Sequence, residues 1–285
     1  MTLAIFYNQA TLSYNGGTVN SNITSGEIIE VLSATKTAVT DVYSDGSDIT
    51  YVINIINSGN IPFNGISVTD NLGSYAFGDT SLTPLDYVEN SVRYFANGVL
   101  QATPIVTSGT EVVFSNINVP ANGVATIVYT TTANTFAPPI IGGIIENTAI
   151  ISGGGITPIT ATEQITSEGQ PLLSITKSVS PTTVAENGEI TYTFVIENRG
   201  NTEALTTDNL VITDTFNPVL NNISVTYNGS NWSESVNYTY DEALGLFTTV
   251  NGQITVPAAS YTQDATTGNW IVSPGTATLT VTGTV

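Results

Sequence analysis

Residues Ile144 to Gly155, IIENTAIISGGG, and residues Ile5 to Gly17, IFYNQATLSYNGG, carry one pattern: an Asn, one residue, an Ala, then apolar and polar residues alternating into a glycine turn. The second copy closes a long segment that is itself repeated. LSATKT (32–37) returns as LSITKS (173–178), and GSDITYVINIINSGN (46–60) as GEITYTFVIENRGN (188–201). ISVTDNL (66–72) returns as LVITDTF (210–216), and GVATIVYTTT (123–132) as GTATLTVTGT (275–284). A repeat of this period fixes the architecture before any residue is considered singly, because each copy must be one folding unit. In the second copy the order runs out at GTATLTVTGTV (275–285), where the first continues into its closing strand. An all-β unit without that strand leaves an unpaired edge, and the segment at the start of the chain has the pattern to fill it.

Period-two alternation, interrupted by turn residues at short intervals, predicts an all-β chain of two tandem immunoglobulin-like β-sandwiches plus an N-terminal donor strand or hairpin. The expected division is a donor strand over 1–15, a connector over 16–30, a complete sandwich over 31–155, a second connector over 156–172 and an acceptor sandwich over 173–285. Asn15-Gly16-Gly17 and Gly153-Gly154-Gly155 suit tight hairpin turns, so a donated hairpin is possible on these residues. SNITSGE (21–27) also echoes EQITSEG (163–169). Read as extended chain, the first connector spans ~46 Å, which leaves folding back within one molecule open beside exchange between molecules.

Of 285 residues only 9% are charged, and 23 acidic against four basic side chains give a formal net charge of -19. Such a surface repels phosphate backbones and anionic lipid, so neither nucleic acid nor membrane insertion is expected. With no cysteine and no histidine, disulfides, thiolate metal sites and the commonest general base are excluded, and no cofactor or metal is expected. MTLAIFYNQA lacks the basic start and apolar run of a signal peptide. On that ground a spore appendage, built inside the cell that makes it, joins a pilus-like filament among the expectations.

The chain has two lysines, Lys36 and Lys177, and both occupy the same repeat position. Strand side chains alternate, so Lys36 shares a face with Leu32 and Ala34, and Lys177 with Leu173 and Ile175. The same parity groups Asp70 with Ile66, Val68 and Leu72, and Asp214 with Leu210, Ile212 and Phe216. It groups Asn147 with Ala149 and Ile151, and Asn8 with Phe6, Ala10 and Leu12. Lysine, aspartate and asparagine thus all fall on apolar faces. Inside a sandwich a lysine tends to lose its proton and an aspartate to keep one. A neutral amine can then attack a carboxamide and expel ammonia.

The ordered set LSITKSVSPTT, GEITYTFVIENRGN, VITDTF and ENTA resembles a conserved repeat domain of unknown function that occurs in tandem on bacterial and archaeal surface proteins. The Lys–Asp–Asn set is similar to the autocatalytic crosslinks of donor-strand-assembled, isopeptide-crosslinked Gram-positive pilins. That resemblance implies a Lys36–Asn147 isopeptide bond within the subunit and a Lys177–Asn8 bond between subunits, with Asp70 and Asp214 as the catalytic carboxyls. Phe6, Asn8, Ala10 and Leu12 are the inward set of the donor strand. The function implied is a structural subunit of a bacterial surface fibre on the outside of a cell or spore, polymerising head to tail with itself, and no enzyme beyond this self-reaction. The departure from the family's pattern is the closing strand, absent from the second repeat and present at the start.

Other readings of the same residues stand beside these. The trio can be a salt bridge with an asparagine satisfying a strand end, and either aspartate can cap a turn. The chain can be the stalk or binding module of an adhesin or S-layer protein with an unidentified surface ligand. Asp41, Asp45 and Asp48 could offer oxygens to calcium. The aromatic stretch from Trp232 to Phe247, with Trp270, could form a sugar-binding surface but matches core packing better.

Overall fold

The computed structural model describes residues 3–285, with side chains for residues 5–26 and 30–285. The chain is all-β, and among the described residues the one helical turn is the short 3₁₀ segment Thr206–Asp208. It divides into two compact units, the first built from residues up to Ala137 with Ile144–Ile165, the second from Pro138–Gly143 with Thr166–Val285.

In the first unit one sheet runs in the order Val99–Leu100, Arg93–Ala96, Gly123–Ala133, Asp48–Asn57, Leu32–Ala38. The other runs Ile105–Ser108, Val112–Val119, Phe63–Asp70, Ile144–Gly153, Ile159–Ser167, Val42–Tyr43. Alternation decides which side chains meet between the sheets. Ile49, Tyr51, Ile53 and Ile55 from one strand are wholly buried, as are Ile66, Val68, Phe114 and Ile151 from the facing sheet. Each such side chain stabilises the fold by roughly 1.5–3 kcal/mol. The closing element is a hairpin, Ile144–Gly153 returning as Ile159–Ser167, and its turn needs glycine. Gly153, Gly154 and Gly155 all have positive φ, and a Cβ on Gly153 would sit 2.8 Å from the Gly65 carbonyl oxygen.

The second unit repeats the five-strand path of one sheet, without a counterpart of Leu85–Tyr87, which also pairs with Gly123–Ala133 in the first: Leu173–Ser180, Glu189–Asn198, Gly275–Thr284, Asn221–Tyr227, Ser230–Trp232. Its facing sheet has three strands, Thr213–Thr215, Leu246–Thr249 and Tyr238–Asp241. In the first unit Phe63–Asp70 lies between Val112–Val119 and the closing hairpin. Its counterpart Thr213–Thr215 pairs with Leu246–Thr249 alone among the described residues. The edge that would take a closing hairpin is open. Leu173–Ser180 is exposed along its whole length, and Ile175, on its core-facing parity, is 54% exposed.

Residues 16–30 and 156–172, expected to be connectors, carry strands instead. Leu3–Asn8 pairs with Thr24–Ile29, and Thr11–Tyr14 with Gly17–Asn20, forming one two-stranded ribbon. Three residues of the returning strand, 21–23, oppose two of the outgoing one, which is a bulge. It is held by Ser21 N donating to Ala10 O at 2.8 Å and Ala10 N to Ser21 Oγ at 3.0 Å. Every side chain from Ile5 to Ser25 is exposed. Ile159–Ser167 likewise belongs to the first unit's sheet. Ser, Thr, Asn and Gly made both stretches look like turns, but ladder bonds are made by the backbone whatever the side chain.

The aromatic stretch packs. Tyr238 and Phe247 are core residues, and Trp232 stacks on Tyr227 at 4.8 Å between ring centroids.

Candidate functional site

The first trio is assembled from three strands of one sandwich. Lys36 comes from the edge of one sheet and Asp70 from the middle of the other. Asn147 comes from the closing hairpin, which pairs with Phe63–Asp70 in a register that puts Ala149 opposite Asp70. The strands of Lys36 and Asn147 approach within 8 Å at Cα across the sandwich. Lys36 Nζ donates to Asp70 Oδ2 at 2.5 Å, both side chains being 0% exposed. Asp70 is further held by the Tyr129 hydroxyl, 2.5 Å from the same Oδ2, and by Leu72 N, 3.0 Å from Oδ1. Lys36 Nζ also lies 4.6 Å from the centre of the Tyr51 ring. Asn147 is wholly buried, and neither of its amide atoms has a hydrogen-bond partner among the described residues.

Burial is the largest influence on Lys36. It lowers the amine from 10.5 to about 8, against the pull of Asp70 and the smaller one of Glu163. Tyr129 is pushed well above its ordinary value, first by burial and then by Asp70, so its phenol keeps its proton. The cluster therefore holds a lysine with a weakened grip on its proton and a carboxylate in direct contact to take it. A carboxamide with unsatisfied lone pair and protons lies in the same core.

The second site holds the matched pair without the third member. Lys177 Nζ donates to Asp214 Oδ2, with side-chain exposures of 38% and 19%. Its Nζ sits among three rings, 4.3 Å from the centre of Tyr192, 5.3 Å from Phe216 and 5.5 Å from Phe194. Its expected inward position is half realised, because among the described residues the facing sheet has only three strands. Asn8 is exposed on the free ribbon. Opposite residues of an antiparallel pair share a face. The pairings Phe6↔Gly26, Asn8↔Thr24, Leu12↔Val19 and Tyr14↔Gly17 therefore put Phe6, Asn8, Leu12, Tyr14 and Val19 together. Phe6, Leu12, Tyr14 and Val19 are all at least half exposed.

Sequence reasoning missed Tyr51, Tyr129 and Glu163. For Tyr51 there was a signal, since ITY is common to both repeats. Tyr129 offered none, because its repeat position holds Val281. Among the described residues no three acidic groups converge as a metal site, so Asp41, Asp45 and Asp48 do not gather.

No family model matches the chain, and no curated protein matches it significantly. The solved structures it resembles include Gram-positive pilins and adhesin domains, and also AvmM, which catalyses macrocyclisation in alchivemycin A biosynthesis. BcpA, the major pilin subunit of Bacillus cereus, is 12% identical over 95% of this chain and 73% of that one, with a TM-score of 0.35. A C-terminal fragment of the major pilin of Streptococcus agalactiae is 12% identical over 86% and 91%, also at 0.35. The collagen-binding domain of a Staphylococcus aureus adhesin is 10% identical over 49% and 99%, at 0.31. With every score below 0.5, the role of this chain has to be argued from its own residues.

Proposed function

We propose that this chain is a structural subunit of a bacterial surface fibre, and that each copy inserts its N-terminal hairpin into the open second sandwich of the next. One observation carries the reading. Among the described residues the second unit has no counterpart, at one sheet edge, of the hairpin that closes the first unit, and the ribbon has that hairpin's sequence pattern and an exposed apolar face. Backbone ladder bonds would give affinity, and the side chains of Phe6, Asn8, Ala10 and Leu12 entering the groove would set register. A contact of this kind between different surfaces does not close on itself and propagates as a filament.

Docking in the register of the first unit would bring Asn8 to Lys177 and Asp214 as Asn147 is brought to Lys36 and Asp70. The reaction proposed at both sites is the same. Lysine passes a proton to the aspartate, and the free amine attacks the asparagine Cγ. The aspartate returns protons to the departing nitrogen, ammonia leaves, and a Lys–Asn amide remains. Asp70 and Asp214 are the proton carriers. The first bond would lock one sandwich and the second would join consecutive subunits.

Deleting residues 1–30 should abolish filaments in negative-stain micrographs while leaving the first unit folded, and synthetic 1–30 peptide should cap the truncated chain. Purified full-length protein should run as a ladder in boiling detergent. Lys177→Ala should remove the ladder but keep the one-ammonia mass loss within the first unit, and Lys36→Ala should do the reverse. Filaments from the truncated protein would refute strand donation. Intact Lys36 and Lys177 side chains in assembled fibres would refute the covalent step alone.

A further inference from the structure

Three buried polar atoms lie unsatisfied at the first trio: the hydroxyl of Tyr51 and both amide atoms of Asn147. Native cores rarely leave such groups unpaired, and each instance asks for an explanation. Here the groups are neighbours. Burial raises the Tyr51 phenol, and the Asn147 side chain beside it is the main influence in the other direction. A phenol that keeps its proton in the buried core, next to a carboxamide whose oxygen has no hydrogen-bond partner among the described residues, is placed to donate to charge that develops there. The neighbouring phenol of Tyr129 is already committed, since its proton goes to Asp70 Oδ2.

We infer that the Tyr51 hydroxyl is a catalytic group of the Lys36–Asn147 reaction, donating to Asn147 Oδ1 as that oxygen becomes an oxyanion. The inference deepens the isopeptide reading and rests on it. When Nζ attacks, the N–C bond forms and the C=O π pair moves onto Oδ1, where the phenol stabilises it without giving up its proton. Asp70 then carries one proton to Nδ2 and takes one from Nζ. The π bond re-forms, the C–Nδ2 bond breaks, and ammonia leaves with the electron pair. Donors preorganised at the site of developing charge act most strongly where water is excluded.

The internal repeat supports this assignment independently. Tyr51 in ITYV corresponds to Tyr192 in ITYT, whereas the counterpart of Tyr129 is Val281. Lys177 lies over the Tyr192 ring at 4.3 Å as Lys36 lies over Tyr51 at 4.6 Å. The phenol that both sites retain is the one on the strand beside the lysine, so Tyr192 takes the same role toward Asn8 of the incoming hairpin.

The test follows ammonia loss by mass spectrometry from newly synthesised full-length chain, taken unfolded from a cell-free translation before either bond has formed and then allowed to fold. Tyr51→Phe removes one oxygen and should slow formation of the Lys36–Asn147 bond roughly 10²–10³-fold. In an Asn147→Ala background it should leave the thermal midpoint of the first unit unchanged, as expected for a hydroxyl without a partner. Tyr192→Phe should slow only the bond between subunits, with the first-unit bond forming at the wild-type rate as an internal control. Wild-type rates in both variants would overturn the inference and leave the isopeptide reading intact. Absence of any ammonia loss from the wild-type protein would overturn both.

Discussion

At the residue scale the decisive contrast is between two lysines with one sequence context and different surroundings. Lys36 is sealed in and its amine is lowered to about 8, whereas Lys177 keeps a third of its side chain in solvent. If Lys36 is free to titrate, stability must depend on pH in a definite direction. The folded chain releases the Lys36 proton near pH 8 and the unfolded chain near 10.5. Between those values the unfolded state binds more protons, so stability rises with pH, by on the order of 3 kcal/mol across the window. Asn147→Ala, which cannot form the bond, should show that rise in denaturant titrations from pH 8 to 10.5. If the proposed bond forms, Lys36 of the wild-type protein is an amide that does not titrate in this range and should show no such rise, and an equal rise in both would mean the bond is absent. The lysine, aspartate and asparagine were legible because strand parity alone puts them on apolar faces. Tyr129 was not, since its role depends on a contact between strands 59 residues apart that no repeat marks.

At the element scale, the unit proposed for donation is a ribbon. The repeat pattern located its outgoing strand, and its turn was marked by Asn15-Gly16-Gly17. The returning strand was taken for a connector, although SNITSGE already echoed the strand EQITSEG. Thr, Ser, Asn and Gly suggest turns in isolation, and nothing in the composition says which backbone they will pair with. The ribbon's two faces give a sharp test, because Leu12 and Ser13 are adjacent and point oppositely. Leu12→Asp puts a charge where a side chain of about 1.5–3 kcal/mol of burial is expected, so a 1–30 peptide carrying it should bind the truncated chain at least ~10²-fold more weakly. Ser13→Asp on the other face should bind within a few-fold of wild type. Equal losses in fluorescence titrations would mean that neither face is selectively buried. The short strands of the second unit's incomplete sheet were the least legible elements. Only Thr213–Thr215 of the repeated LVITDTF stretch is ladder-paired, and among the described residues it has one partner strand.

For the whole molecule the question is whether the hairpin closes its own second unit or another's. A free connector of ~46 Å would have made self-closure easy to reach. That connector does not exist once residues 17–20 and 24–29 are paired, because only Glu30 and Val31 separate the ribbon from the strand beginning at Leu32. Two residues reach ~7 Å. The tether is therefore short, and the proposed exchange between molecules is set against self-closure by experiment. Two altered chains can separate the cases: one lacking residues 1–30, which can only accept, and one carrying Lys177→Ala, which can donate but not accept covalently. Neither alone should give a ladder. Mixed, they should yield a single detergent-resistant heterodimer whose linked peptides contain Asn8 of one chain and Lys177 of the other, in an amount that rises with total concentration. With no cysteine in the sequence, the product must survive reducing agent unchanged. A wild-type chain that loses two ammonias yet stays monomeric at every concentration would show self-closure, and the open edge would then be an internal seam rather than the joint of a fibre.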